Sequence, residues 1–544
     1  MDAGREVGQP PTIHERGRIM KKKHRIEGWR IFRAEALALA LLFALTGVLA
    51  VGLDKSEAAT SKDEIVLVEG PEIESLDPPH GGSGFVRHFL ELIYNGIVSY
   101  DENSQVVPGL AKSWKMDSGG KSWTFKFRKG VRFSNGNRFT AHAAKFTIDR
   151  ILDKKTKARR RSVFIKVITK LEVIDDLTLR IHTKKPFPDL PNLVAILEAS
   201  VIDPAAVKKW GKAFGQHPTG TGPFMLKEWV PGDKAVLVSN PHYWGPKPKV
   251  KRIIQKSIPE GSARVFSLER GEADVVAKIP TEEIPRLSKN PNIVLHKSAV
   301  QLNISYEINN VKKPWSDIRV RRALNYAVDK DAIVKKILGG FGVPSTGVAG
   351  PGIPGRRAFK PWPYDPAKAR KLLAEAGYPK GFKMEVQTPV GRYVKDKLIS
   401  EAIQGYLQAV GIQASVRTFE WPRYIAHIKS DPNTGVKNMS LLGRSSPYLD
   451  YHLTRLYHSS NIKGGSSRTG YANPEVDRLI EEARFEVDAK KRQAFYHKVQ
   501  GIIRNDVPFL WMHNQVVVTG VRKNVKGVQF QEGTEAIILR NAHK

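Results

Sequence analysis

The sequence predicts a protein of mixed α/β class, because strand and helix patterns alternate along most of its 544 residues. Trp123, Phe125 and Phe127 alternate with polar residues, which is the period-2 pattern of a half-buried strand. The segment 365–377 opens with a capping Asp and a Pro, carries an apolar face and ends at a Gly, as amphipathic helices do. The segment that starts at Asn473 repeats this arrangement. These patterns disfavour an all-helical bundle and an all-β sandwich.

The amino-acid sequence lacks many of the residues and motifs that common enzymes use for catalysis. The apolar fraction of 41% is that of a globular protein, but the chain has no cysteine, which excludes disulfides, thiolate nucleophiles and iron–sulfur clusters. The histidines lack metal-binding spacing, and the P-loop, HExxH and GxSxG motifs are missing. The segment 350–355 matches a dinucleotide fingerprint by letter, but its two prolines remove amides that a phosphate would need. We therefore predict no catalytic residue, no metal and no cofactor.

The chain is strongly basic, with a formal net charge of +34. The basic residues are spread along the chain, without the dense arms that are typical of nucleic-acid-binding proteins. This pattern predicts no nucleic-acid partner. It is compatible with attraction of anionic ligands or of an anionic membrane surface.

The N-terminal 59 residues read as a basic leader followed by a secretory signal. Basic residues between Lys21 and Arg33 precede an apolar run from Ala36 to Leu53 and a short polar stretch with small residues. Translation from Met20 would leave a compact basic region before the apolar run. Export to the periplasm follows from this interpretation. If the signal stays uncleaved, the alternative is an anchor in the inner membrane.

Several motifs in fixed order give the chain a family resemblance. They are Glu74–Pro78, Pro108–Trp114, Trp123–Phe125, Arg128–Phe133, Gly220–Phe224, Asn240–Trp244, Gly271–Asp274 and Asp317–Asp329. Together they resemble the family 5 extracellular solute-binding proteins, the dipeptide, oligopeptide and nickel-chelate receptors of ABC importers. Each motif alone is weak evidence, but together, in this fixed order, the motifs extend over nearly the whole exported chain.

The resemblance implies a two-lobed Venus-flytrap fold with an extra domain in the first lobe, closing on its ligand by hinge motion. The corresponding boundaries are 60–97, 218–300 and 513–544 for lobe one, 98–217 for the extra domain, and 301–512 for lobe two. It also implies a monomer that catalyses no reaction and delivers a peptide-like solute to a membrane permease. The alternative to a peptide-like cargo is another solute, such as a metal chelate, opine, glutathione or oligosaccharide. A secreted peptide hydrolase and a basic membrane-associated protein are alternatives of other classes.

Candidate ligand contacts follow from the family's specificity loop, which corresponds to residues 443–451. Arg444 is a candidate clamp for a carboxylate or phosphonate, with an ordinary salt bridge as the alternative. Asp450 is a candidate anchor for a peptide amine, with a structural role as the alternative. Ser445, in the same loop, is a further candidate contact. Trp421 resembles a cleft wall, and Glu72 lies in the first-strand motif; both could equally be packing or surface residues.

Overall fold

The computed structural model of the protein describes residues 61–70, 73, 75–81, 84–428, 439–446, 448–462, 467–531 and 533–544. The predicted leader and signal, and the candidate contact Glu72, lie outside these residues. Over the described residues the chain alternates strands and helices, which confirms the predicted α/β class.

The main feature is one eleven-stranded sheet, in the order β15-β14-β16-β12-β17-β11-β1-β10-β9-β8, with β13 paired to β17. A second sheet has four strands, β4-β5-β7-β6, and β2-β3 and β18-β19 form small hairpins. The strands are β1 (Glu64–Glu69), β2 (Val98–Tyr100), β3 (Val106–Pro108), β4 (Ala111–Met116), β5 (Ser122–Phe127), β6 (Ile168–Asp175), β7 (Thr178–Thr183), β8 (Phe224–Val230), β9 (Lys234–Ser239), β10 (Arg252–Ser257), β11 (Val275–Val276), β12 (Ile293–Glu307), β13 (Gly342–Pro344), β14 (Lys383–Pro389), β15 (Gln413–Phe419), β16 (Met439–Arg444), β17 (Phe509–Arg522), β18 (Gln529–Phe530) and β19 (Ile537–Ile538).

The helices pack on these sheets, and their caps follow the sequence signals. Asp365 accepts a hydrogen bond from the amide of Lys368 at 2.9 Å, and Asn473 accepts two amides at the start of the next predicted helix. No helix follows directly on the segment 350–355, unlike in a dinucleotide-binding motif. The α-helices are α1 (Gly84–Ile93), α2 (Ala141–Leu152), α3 (Arg161–Val167), α4 (Leu190–Val194), α5 (Pro204–Trp210), α6 (Gly261–Arg270), α7 (Ile284–Leu287), α8 (Ile318–Ala327), α9 (Lys330–Ala332), α10 (Pro366–Glu375), α11 (Asp396–Gln408), α12 (Trp421–His427), α13 (Leu449–Tyr457), α14 (Pro474–Phe485) and α15 (Ala489–Asp506).

Two long neighbouring strands, β12 and β17, run through both halves of the large sheet. Their antiparallel register is interrupted between the pairs Ala299↔Val516 and Asn303↔Asn514. Before this irregularity β17 also pairs with β11, and beyond it β12 pairs with β16. The two halves of the sheet are therefore joined through a short irregular stretch, which is where a bend is easiest to accommodate.

Separate hydrophobic cores pack on the different parts of this frame. One core combines β5, β7, α2 and their neighbours, and includes the fully buried rings of Phe125 and Phe127. Tyr448 and Tyr451, from the far part of the chain, pack into this same core. Contacts between segments so distant in sequence bring the predicted specificity loop against the small sheet.

No helix among the described residues combines the length and the apolar character that crossing a bilayer requires.

Candidate functional site

The predicted specificity loop begins at the end of β16. This strand pairs antiparallel with β12, in the register Asn303↔Arg444 and Ile304↔Gly443. A side chain at Gly443 would place its Cβ 2.6 Å from a ring carbon of Tyr393. Glycine at this position therefore lets the Tyr393 ring lie directly against the strand.

Arg444 is buried and forms an ion pair with Glu307, the last residue of β12. Its Nε donates to Oε1 of Glu307 at 2.8 Å, and Nη2 donates to the same oxygen. The two side chains are 6% and 5% exposed, so each charge depends on its partner. The sequence left two interpretations of Arg444 open, a ligand clamp and a salt bridge, and the observed geometry is that of a salt bridge. The role of Arg444 in ligand binding stays a prediction.

Three further guanidinium groups interact electrostatically with one another or with Arg444, and we call Arg160, Arg444, Arg455 and Arg468 the arginine cluster. The Cζ atoms of Arg160 and Arg455 lie 5.0 and 5.7 Å from the ring centroid of Tyr451. Arg160 also donates to the Tyr451 hydroxyl, and its Nε donates to Glu198 at 2.8 Å. Arg160 precedes α3, whereas Arg455 is on α13, so the cluster joins the small sheet's domain to the helix in which the predicted specificity loop ends.

Like charges affect one another inside this cluster. Burial lowers the pKa of Arg455 to about 10; Tyr451 opposes this shift, whereas the charges of Arg444, Arg160 and Arg468 reinforce it. Burial and the charge of Arg444 also lower the pKa of Arg468. Arg455 and Arg468 are half-buried, so solvent reaches part of each side chain. An anion placed there would stabilise their charged forms.

The candidate Trp421 opens α12 and belongs to a second group beside Gly443. Its ring centroid is 6.2 Å from that of Tyr393, edge to face, and both rings contact Arg392. The Cζ of Arg392 is 5.0 Å from the Trp421 centroid and 5.1 Å from the Tyr393 centroid. Trp421 is half-buried and Arg392 is exposed. The sequence reasoning missed Arg392, although an Arg-Tyr pair before a helix could have suggested a cation on an aromatic surface.

Asp450 lies on α13 and contacts α14 instead of open solvent. Nε of Arg484 donates to both of its carboxylate oxygens, at 3.0 and 3.1 Å, and the Asp450 side chain is 4% exposed. Burial and the nearby Asp450 carboxylate raise the pKa of Asp189 to about 6. This geometry corresponds to the structural alternative for Asp450. Its role as an amine anchor stays a prediction.

The last described candidate, Ser445, is exposed and directly follows β16. Ser445 also directly follows Arg444 in the chain. Within the ranges that the structure describes, no three His, Asp or Glu side chains converge in a way that could hold a metal ion. Guanidinium groups beside aromatic rings are suited to binding carboxylates and flat groups.

Comparisons with known proteins agree with this architecture. The profile of the bacterial extracellular solute-binding proteins, family 5 middle region, matches residues 105–464. The glutathione-binding protein GsiB of Escherichia coli K12 is 33% identical over 485 residues, which cover 88% of this chain and 94% of that protein. GsiB of Salmonella choleraesuis is 32% identical over 488 residues, with the same coverage of 88% and 94%.

Solved structures share the fold. The periplasmic binding protein DppA of Helicobacter pylori, in complex with the peptide STSA, superimposes with a TM-score of 0.76 at 27% identity. The alignment covers 88% of this chain and 98% of that one. The binding protein MoaA of A. tumefaciens R10, in complex with mannopinic acid, gives a TM-score of 0.74 at 26% identity, covering 89% and 99%.

The fold is therefore that of a two-lobed periplasmic binding protein, as the motifs predicted. The chain belongs to the family 5 bacterial extracellular solute-binding proteins, the solute-binding components of ABC importers. The relatives at this similarity are binding proteins and not enzymes.

Proposed function

We propose that this protein is exported to the periplasm as a monomer, captures a peptide-like solute between its two lobes, and delivers it to a membrane permease without chemical change. Lobe one would comprise 60–97, 218–300 and 513–544, the extra domain 98–217, and lobe two 301–512. The register irregularity between β12 and β17 lies beside two of these boundaries, which supports a hinge there.

The observation that carries the cargo proposal is the position of Arg392. Its exposed guanidinium lies over Trp421 and Tyr393, where it can pair with a carboxylate while the rings cover one side. Every peptide ends in a carboxylate, and a planar guanidinium binds that group with two hydrogen bonds. The names of the relatives, which bind glutathione or a peptide, support the same class of ligand.

Ligand screening on the exported form tests this proposal. We expect di- to pentapeptides, including glutathione, to raise the melting temperature, because saturation at 100 times Kd stabilises a protein by about 2.7 kcal/mol. Mass spectrometry should show the peptides intact after incubation. Stabilisation by an opine or a chelate with none by peptides would contradict the peptide cargo, and cleaved peptides would contradict a pure receptor.

A matched pair of variants links the binding to the proposed place. Arg392→Gln should weaken peptide binding about tenfold, since a charge-assisted pair contributes on the order of 1.5–3 kcal/mol. Arg417→Gln is the control, because Arg417 is also exposed and lies 4.9 Å above an aromatic ring, that of Phe419. Equal affinities of the two variants would remove Arg392 from the site.

A further inference from the structure

The segment between α2 and the end of α3, in the small sheet's domain, carries a dense run of basic residues. Six of the eight residues from 154 to 161 are Lys or Arg. Four of these side chains are exposed, and so is one further lysine on α3. We call these five side chains the basic patch; they are Lys154, Lys155, Lys157, Arg159 and Lys166. The patch is a local concentration of positive charge on the surface.

Neighbouring carboxylates do not balance the charges of the basic patch. Over the ranges that the structure describes, none of its five side chains forms an ion pair. The carboxylates next to it in the chain have other partners. Asp149 pairs with Lys145, and Asp153 accepts the backbone amide of Lys155 at 2.9 Å. The five cations are therefore available to a partner outside the chain.

The fold holds the basic patch in a fixed position. Nε of Arg161 donates to the carbonyl oxygen of Leu152 at 2.7 Å, which closes the segment into a compact turn. The backbone amide of Arg159 donates to the carbonyl oxygen of Pro79 at 3.2 Å, which ties the segment to the loop after β1. The basic patch is therefore a built surface, unlike the free basic arms of many nucleic-acid-binding proteins.

The backbone at Lys157 is a second, independent observation. Its φ of 54° lies in the left-handed region, which is unfavourable for residues with a Cβ and is occupied most readily by glycine. Glycine would relieve this strain, so the stability of the fold does not account for a lysine at this position. The side chain, with its charge, is what glycine could not supply.

We infer that the basic patch binds an anionic phospholipid surface. Each Lys or Arg close to such a surface adds to the attraction, and an apolar side chain beside the cations can enter the headgroup region. Ile165, next to Lys166 on α3, is 38% exposed and provides that side chain. Phe164 is the only aromatic residue between 153 and 166, and it is fully buried, so the segment offers no ring for stacking on nucleic-acid bases. The inference goes beyond the proposed function and does not depend on the cargo.

Co-sedimentation of the exported form with lipid vesicles, in the absence of any solute, tests the inference. One set of vesicles contains phosphatidylglycerol mixed with phosphatidylcholine, and the other contains phosphatidylcholine alone. We expect binding to the anionic vesicles and little to the neutral ones. High salt should release the protein, because it screens exposed charges.

A fourfold variant assigns the binding to the basic patch. It combines Lys154→Gln, Lys155→Gln, Lys157→Gln and Arg159→Gln. We expect it to bind anionic vesicles at least about tenfold more weakly, since each basic residue near the surface contributes about fivefold. The control removes the same net charge from separate exposed positions, through Lys247→Gln, Lys289→Gln, Lys336→Gln and Lys490→Gln. Its loss should be below about threefold, because charges far from the lipid are screened.

Two single variants separate the roles of charge, backbone and apolar contact. Lys157→Gly should weaken vesicle binding about fivefold while the melting temperature is kept, since glycine adopts the same backbone conformation without strain. Ile165→Ser should weaken binding to vesicles but leave any binding to a DNA duplex unchanged. This difference identifies lipid as the partner, because only a membrane interface takes up an apolar side chain.

Three outcomes would overturn the inference. The first is equal binding to anionic and neutral vesicles, and the second is an equal loss in the fourfold variant and its control. The third is tighter binding of a DNA duplex than of anionic vesicles, lost in the fourfold variant and unaffected by Ile165→Ser, which would reassign the patch to nucleic acid. Failure of the peptide cargo would show in the ligand screen and leave these vesicle results unchanged.

Discussion

Two buried ion pairs, Arg444–Glu307 and Asp450–Arg484, both start from the predicted specificity loop but lie in different surroundings. The first is surrounded by further arginines, and solvent reaches two of them. The second lies among the buried side chains of Tyr448 and Tyr496, whose pKa values are raised by burial and then by Asp450.

The charge balance also differs between the two pairs. Around Asp450 a second carboxylate, Asp189, interacts with Arg492 as well as with Arg484. The two described carboxylates are therefore balanced by two guanidinium groups. Around Arg444 the pKa of Arg455 is lowered by burial and by the charges of three neighbouring arginines. The balanced network around Asp450 stabilises the packing of helices, whereas the network around Arg444 brings like charges together and is partly open to solvent.

The strongest test of this comparison is Asp450→Ala. Removing the carboxylate leaves Arg484 buried without its ion-pair partner, and breaking such a pair costs about 3–5 kcal/mol. We expect a loss of this size in the free energy of unfolding, measured by urea denaturation, with little change in peptide affinity per folded molecule.

The control for Asp450→Ala is Glu482→Ala on the same helix as Arg484. Glu482 pairs with Arg478 on the exposed face, so its loss should change stability by less than about 0.5 kcal/mol. If Asp450→Ala instead left stability within about 1 kcal/mol and abolished peptide binding, Asp450 would be the amine anchor.

The second test, Glu307→Gln, measures how far the Arg444–Glu307 pair stabilises the fold. Arg444 would lose its charged partner but keep a hydrogen-bond acceptor, so we expect a loss of about 2 kcal/mol in the free energy of unfolding.

The matched control for Glu307→Gln is Glu401→Gln, which removes an exposed carboxylate 3.8 Å from Lys397. It should change neither stability nor peptide affinity appreciably. An equal change of stability in Glu307→Gln and Glu401→Gln would show that the buried ion pair of Arg444 does not stabilise the fold.

The sequence predicted local features of the fold well, because those features depend on near neighbours. The alternation in β5 and the Asp365 cap involve residues within a few positions of each other. The partners within the site are far apart in the chain: Glu307 is 137 residues from Arg444, and Tyr451 is 291 residues from Arg160. Only the sheet order and the packing of the domains bring such residues together.

The same reason explains why the roles of the candidate residues stayed open. A sequence identifies Arg444 and Asp450 as charged residues in a specificity loop, but the surrounding charges decide whether each serves the fold or the ligand. Arg392, Arg455 and Arg468 carried no motif and were missed. Arg392 and Arg455 lie on aromatic rings, and this arrangement appears only in the fold.

The smallest expected effect concerns pH and the balanced network. The carboxyl of Asp189 has its pKa raised from 3.8 to about 6, so between these pH values the folded protein holds a proton that the unfolded chain has lost. Stability therefore falls as pH rises through this window and stays lower above it. Asp189→Asn removes this penalty and should stabilise the protein by about 1 kcal/mol at pH 7.5, with the gain shrinking toward pH 4. Urea unfolding of the unmodified protein and of Asp189→Asn at pH 4 and pH 7.5 measures the difference in the free energy of unfolding. In Glu401→Gln this difference should not depend on pH. A gain that is equal at both pH values would mean that Asp189 is ionised normally and that the network around Asp450 is more solvated than its burial indicates.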